Sequence, residues 1–131
     1  MKLITRNTDY AVRALCFLAK QDGRIVPVSG LVKELRAPRP FLRKILQILN
    51  RKGLLKSCKG QGGGFRLALA PDKIFLGDLI KILQGPIQFN DCFFKKMFCA
   101  DLRICLLRKK INEIEKYVIS QLESISIASL G

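Results

Sequence analysis

Cys92, Cys99 and Cys105 fall within one stretch of 14 residues in a 131-residue chain that has five cysteines and no histidine. Thiolates are ligands for soft metals, so three in one segment form a candidate metal centre. A zinc site draws four Cys or His ligands, mostly as closely spaced pairs. Here the gaps are six and five residues, and no imidazole is available. Widely spaced single cysteines suit an iron–sulfur cluster better, because its irons lie further apart than the ligands of one ion. A fourth ligand then has to be an oxygen, another cysteine or an external molecule. Phe93, Phe94 and Phe98 flank the thiols, and aromatic neighbours limit solvent access to such a site. Cys16 and Cys58 sit in a predicted helix and a predicted strand, where a thiol is normally a small packing residue.

The partner of such a site is suggested by charge. The formal charge is +14, and it is divided unevenly: residues 1–70 carry 15 Lys and Arg against 3 Asp and Glu, residues 71–131 carry 9 against 7. A merely solubilising charge has no reason to divide in this way, so the first half reads as a nucleic-acid face. With 49% apolar residues the chain can bury a real core. The amino terminus has no apolar signal region, and no apolar run approaches the ~20 residues of a membrane helix. The expected location is the cytoplasm, where reduced thiols are the rule.

The elements that position these residues follow from periodicity. Ala11, Leu15 and Leu18 recur at helical spacing between Thr8 and Lys20, and Gln21-Asp22-Gly23 stops that helix. Val28-Ser29-Gly30 opens a second, short helix that buries Leu31, Val32 and Leu35. The tract Arg36-Ala37-Pro38-Arg39-Pro40 breaks it, and Pro40 suits the first turn of a third helix running to about Lys52. Phe41, Leu42, Ile45, Ile48 and Leu49 form its apolar face; Arg39, Arg43, Lys44, Gln47 and Asn50 form the other. Short helix, tight turn and basic helix make a helix-turn-helix. Residues 54–59 and 65–69 read as strands joined by Gly60-Gln61-Gly62-Gly63-Gly64, a β-wing whose small tip can approach a groove closely. Residues 77–84 form a further short helix. From about Leu106 a long helix carries Leu107, Ile111, Ile114, Val118, Leu122 and Ile125, a stripe near a coiled-coil seam that suggests packing on another copy.

The fold class is therefore mainly α with a small β-wing: a winged helix-turn-helix over residues 1–85, a cysteine loop over 86–105, and a dimerisation helix with tail over 106–131. The glycine cluster lacks the Lys-Ser/Thr and helix of a phosphate-binding loop. A cysteine enzyme lacks a histidine base, a C-x-x-C pair and convergent acids. A basic wing is also compatible with RNA, but the chain offers few exposed aromatic platforms for single strands.

In Thr8 through Leu15, Leu42 through Gly53, Lys59 through Phe65 and Cys92…Cys99…Cys105, the chain resembles the IscR/NsrR-type winged-helix regulators of the Rrf2 family. The resemblance implies a homodimer joined by the long helix through Leu107, Ile111, Ile114, Val118 and Leu122. It implies a [2Fe–2S] or [4Fe–4S] cluster on Cys92, Cys99 and Cys105, and a roughly palindromic double-stranded DNA operator. Arg39, Phe41, Arg43 and Lys44 take the positions that read bases or phosphates. Lys59, with Gly60, Gln61, Gly62, Gly63 and Gly64, takes the wing's place in the minor groove. Some relatives place a histidine ligand where this chain has Arg108, which closes that route. Others use an acid of the first helix from the partner subunit, and Asp9 matches it. Lys59 replaces a common arginine, keeping the charge but losing the planar fork.

The expected function is a DNA-binding transcriptional repressor that senses iron–sulfur supply, nitric oxide or redox state. The alternative is a cluster-free winged-helix regulator controlled by a protein partner or by zinc at the cysteine loop.

Overall fold

The computed structural model describes residues 2–88 and 102–131. Helix α1 (Arg6–Ala19) starts where the Thr5 side chain accepts from the Thr8 amide, capping an otherwise unpaired donor. Its buried face is Thr8, Ala11, Ala14, Leu15 and Leu18. Helix α2 (Val28–Leu35) ends at Arg36, which adopts a left-handed conformation at φ 53°. Two prolines set the entry to helix α3 (Arg39–Arg51), and Gly53 follows with φ 82°. Leu42, Ile45, Leu46 and Leu49 of α3 are at most 2% exposed. Burying each such side chain stabilises by ~1.5–3 kcal/mol, so this stripe fixes which face of α3 is left for a ligand.

Strands β1 (Leu55–Cys58) and β2 (Gly64–Leu67) pair antiparallel, with Leu55 opposite Leu67 and Cys58 opposite Gly64. A third segment holds the hairpin: Val26 and Phe65 exchange both backbone hydrogen bonds at 2.9 Å. This contact explains the last two glycines of the wing. A Cβ on Gly64 would lie 2.1 Å from the Val26 carbonyl oxygen, and one on Gly63 would lie 2.3 Å from that of Cys58. The sequence suggests that the glycines serve close approach to a groove; two of them are required by the hairpin's own packing.

After a single 3₁₀ turn at Pro71–Lys73, helix α4 (Leu76–Gln84) packs on α1 and on the long helix α5 (Leu102–Ser124). Helix α5 starts at Leu102, four residues before the expected point. Cys105, expected at the end of a loop, therefore stands in its first turn. The helix also stops early. Ile125, expected on its stripe, is outside it and accepts from the Leu76 amide at 2.8 Å. The chain then folds back: Ile127 donates to the Ile74 carbonyl at 2.8 Å, and its side chain is buried in a last short helix α6 (Ile127–Leu130). This return, absent from the sequence reading, pins the carboxy-terminal end of α5 to the helix-turn-helix body.

The residues of the expected seam differ in exposure. Leu122 is 6% exposed, where α5 meets α4. Leu107 and Ile114 are more than half exposed, as are Leu106 and Tyr117, while Ile111 and Val118 are half-buried.

Candidate nucleic-acid interface

One side of the molecule is a concave cleft of about 490 Å³ between α3 and the wing. Helix α3 contributes Arg39, Arg43, Gln47 and Asn50. Their spacing of four, four and three residues lines them up on one side of a helix, opposite the buried leucine and isoleucine stripe. The wing contributes Ser57, Cys58, Lys59, Gly60, Gly63 and Gly64, and the start of α2 contributes Pro27, Val28 and Ser29. The first turn of α2 has no side-chain cap, and its Gly30 amide donates to the Pro27 carbonyl at 3.0 Å.

The electrostatics of this face are one-sided. Arg39, Arg43, Lys44 and Lys59 are exposed, and among the described residues none of them has an ion-pair partner. Two cations away from the cleft are paired: Lys81 with Glu123 at 3.6 Å and Arg13 with Asp9 at 3.2 Å. Unpaired positive charge around a concave, half-polar surface attracts a polyanion.

The expected contact set is thus partly assembled. Arg39, Arg43, Lys59, Gly60, Gly63 and Gly64 line the cleft, whereas Lys44, Gln61 and Gly62 are exposed beside it. Phe41 turns away from it. Its ring meets Tyr10 edge-on, with centroids 5.4 Å apart and planes at 76°, and it packs against the core. Gln47 and Asn50 belong to the cleft although only their place on the polar face was read from sequence. Pro27, Val28 and Ser29 were missed; the helix-start signal Val28-Ser29-Gly30 was legible, but not that it opens toward the wing. Cys58, read as packing, is half-buried in the cleft wall.

A family model described as "Rrf2: Iron-dependent Transcriptional regulator" matches residues 4–131. The chain belongs to the Rrf2 family. A protein of Aquifex aeolicus (strain VF5), provisionally described as an HTH-type transcriptional regulator, is 32% identical over 130 residues, covering 98% of this chain and 90% of that protein. Among solved structures, CymR, the global cysteine regulator of B. subtilis, superposes with a TM-score of 0.82 at 25% identity, covering 99% of this chain and 96% of its own. T. potens IscR superposes with a TM-score of 0.74 at 25% identity, covering 99% and 85%. The winged-helix architecture and a role in DNA-binding transcriptional regulation follow. No helix among the described residues is long and apolar enough to cross a membrane.

For the Rrf2 metal question, Cys92 and Cys99 lie outside the described residues. Cys105 is exposed on α5. Asp9 stands in the first turn of α1, its side chain 47% exposed and paired to Arg13. Among the described residues no three His, Cys, Asp or Glu side chains converge. Cys105 presents an accessible thiol and Asp9 an accessible carboxylate, neither of them buried within the chain. Cys16 differs. Burial raises its thiol pKa, opposed by the nearby Lys20 ammonium, so the ligating thiolate is disfavoured.

Proposed function

We propose that this Rrf2 protein is a homodimeric, DNA-binding repressor whose operator affinity depends on an iron–sulfur cluster held by Cys92, Cys99 and Cys105. Asp9 of the partner subunit is the fourth ligand. The observation that carries the DNA half is the cleft whose Arg39, Arg43 and Lys59 have no internal counter-charge among the described residues. α3 enters the major groove, the wing follows the neighbouring backbone, and two copies meet through the stripe of exposed Leu107 and Ile114 and half-buried Ile111 and Val118. Operator half-sites then lie about one helical turn, ~34 Å, apart.

The cluster half is supported by cysteine spacing, by the exposed thiol of Cys105 at the start of α5, and by the family's description as iron-dependent. When bound, the cluster supplies redox chemistry and reactivity toward nitric oxide. The chain's own residues do the rest: Cys105 ties the segment to α5, and Asp9 ties it to α1 of the other subunit. α1 packs on α3, so a change in that tie reaches the recognition helix. Anaerobically reconstituted protein is expected to show an iron–sulfur visible spectrum, with iron and sulfide in the same preparation. DNA affinity should differ before and after nitric oxide. A colourless preparation, with regulation untouched by replacing all three cysteines with alanine, rules the cluster out.

A second reading has one observation in its favour. The TM-score to CymR, the global cysteine regulator of B. subtilis, is 0.82 against 0.74 for IscR. On that reading the chain is a cluster-free regulator governed by a protein partner or by zinc. Metal analysis of anaerobically purified protein separates the two.

A further inference from the structure

Recognition of a duplex by a single helix leaves two flanks to account for. A helix with its side chains is ~10–12 Å across and the major groove is ~12 Å wide, so phosphates face the helix on both sides. The flank of α3 toward the wing has its donors in Arg43, Lys59 and the start of α2. Phe41 lies two residues beyond Arg39, about 200° around the helix, and so faces the opposite flank. There Phe41 and Pro38 form one wall of a recess of about 150 Å³, and Arg6 and Tyr10 of α1 form the other.

Arg6 and Tyr10 are four residues apart and share one face of α1. Arg6 is exposed, and among the described residues its guanidinium has no ion pair and the Tyr10 hydroxyl no hydrogen bond. The ring of Tyr10 is held in place edge-on against Phe41. The nearby acid, Asp9, is neutralised by Arg13 on the same helix. An unspent cation and an unspent hydroxyl therefore converge beside the first turn of the recognition helix.

We propose that Arg6 and Tyr10 form a second phosphate-binding subsite, which grips the DNA strand on the side of α3 away from the wing. The subsite rests on the reading of α3 as the recognition helix and adds the backbone contact that this reading leaves without a donor. It carries charge and no base-specific information, so its contribution is the same on any duplex sequence.

The test uses the full chain and two probes: a duplex enriched from a random pool by the wild-type protein, and a random-sequence duplex of equal length. Arg6→Gln should weaken both by the same factor, roughly fivefold near 0.1 M salt, and lower the salt slope by about one unit. Arg6→Lys should restore the slope. Tyr10→Phe keeps the ring on Phe41 and should weaken binding two- to threefold (an order-of-magnitude expectation, roughly one neutral hydrogen bond) with the slope unchanged. Arg43→Ala, run in parallel, tests the underlying reading. If Arg43→Ala weakens binding while Arg6→Gln and Tyr10→Phe leave affinity and slope at wild-type values, the subsite is wrong and the recognition helix stands. If Arg43→Ala also binds like wild type, the recognition-helix reading fails and the subsite fails with it.

Discussion

The Thr8 hydroxyl donates to Gln84 Oε1 at 2.5 Å, joining the first turn of α1 to the last residue of α4. Gln84 makes two further bonds there: Oε1 also accepts from the Thr5 amide at 3.0 Å, and Nε2 donates to the Leu3 carbonyl at 3.1 Å. Thr8 is 0% exposed. The link matters because Gly85 follows immediately and opens the stretch that leads to Cys92, while Asp9 follows Thr8.

A buried polar group that loses its partner costs ~1–3 kcal/mol, more than the net value of the bond itself. Gln84→Leu strands the Thr5 amide and weakens the hold on Thr8, and is expected to destabilise by about 2 kcal/mol in urea unfolding. Thr8→Val removes its own hydroxyl and leaves Gln84 bonded to Thr5, so about 1 kcal/mol is expected. Because the two residues share one network, the double variant should fall short of the sum. A strictly additive double variant would mean that the two act independently.

The wing glycines separate by cause. Gly62 has φ 73° with open space around it, so Gly62→Ala meets only backbone strain, about 1 kcal/mol. Gly64→Ala drives a methyl into the Val26 carbonyl and disrupts the paired Val26–Phe65 hydrogen bonds. It should cost more than about 2 kcal/mol and weaken DNA binding, since the wing then loses its anchor beside α2. Thermal unfolding of both variants checks the order; a Gly64→Ala protein as stable as Gly62→Ala would contradict the anchoring role.

How much of this was legible in the sequence varies with the range of the interaction. Helices α1 to α4 follow from local period, caps and breakers, and their ends agree to within one or two residues of the expected ones. The polar face of α3 was equally readable, because Arg39, Arg43 and Gln47 recur every four residues. The return of Ile125 and Ile127 to residues 74–76 was not, because it depends on partners about 50 residues distant. For the same reason Leu122 looked identical to Leu107 on the apolar stripe, although α4 covers one and not the other. The opposite orientation of Phe41 required knowing where Tyr10 stands.

The described cysteines should separate by reactivity toward a thiol reagent. Cys105 is exposed and should label first under native conditions, Cys58 next, and half-buried Cys16 last. Burial raises the Cys16 pKa above its ordinary 9.0. The folded state thus holds this proton more tightly than the unfolded chain does. Its stabilising effect is fully present below pH 9.0 and is lost as pH rises through the folded-state value. Cys16 labelling should therefore accelerate above pH 9.0, accompanied by a loss of stability that a Cys16→Ala variant does not show. Equal labelling rates for Cys16 and Cys105 at neutral pH would overturn the packing assignment of Cys16.

Asp9 and Arg13 give the last prediction, because stability and metal binding pull it in different directions. The pair is solvent-exposed, with side chains 47% and 58% accessible, at a distance of 3.2 Å. Exposed helix pairs of this kind contribute only ~0.3–0.5 kcal/mol. Neither Asp9→Ala nor Arg13→Ala should therefore shift the urea midpoint appreciably. If Asp9 of one subunit completes the metal centre of the other, Asp9→Ala should shorten the lifetime of the reconstituted chromophore in air. Arg13→Ala should leave the chromophore as long-lived as wild type or longer, because the carboxylate no longer divides its charge with a guanidinium. Matching decay rates in wild type and Asp9→Ala would return Asp9 to the ordinary role of an acid near a helix amino terminus, where it favours the dipole.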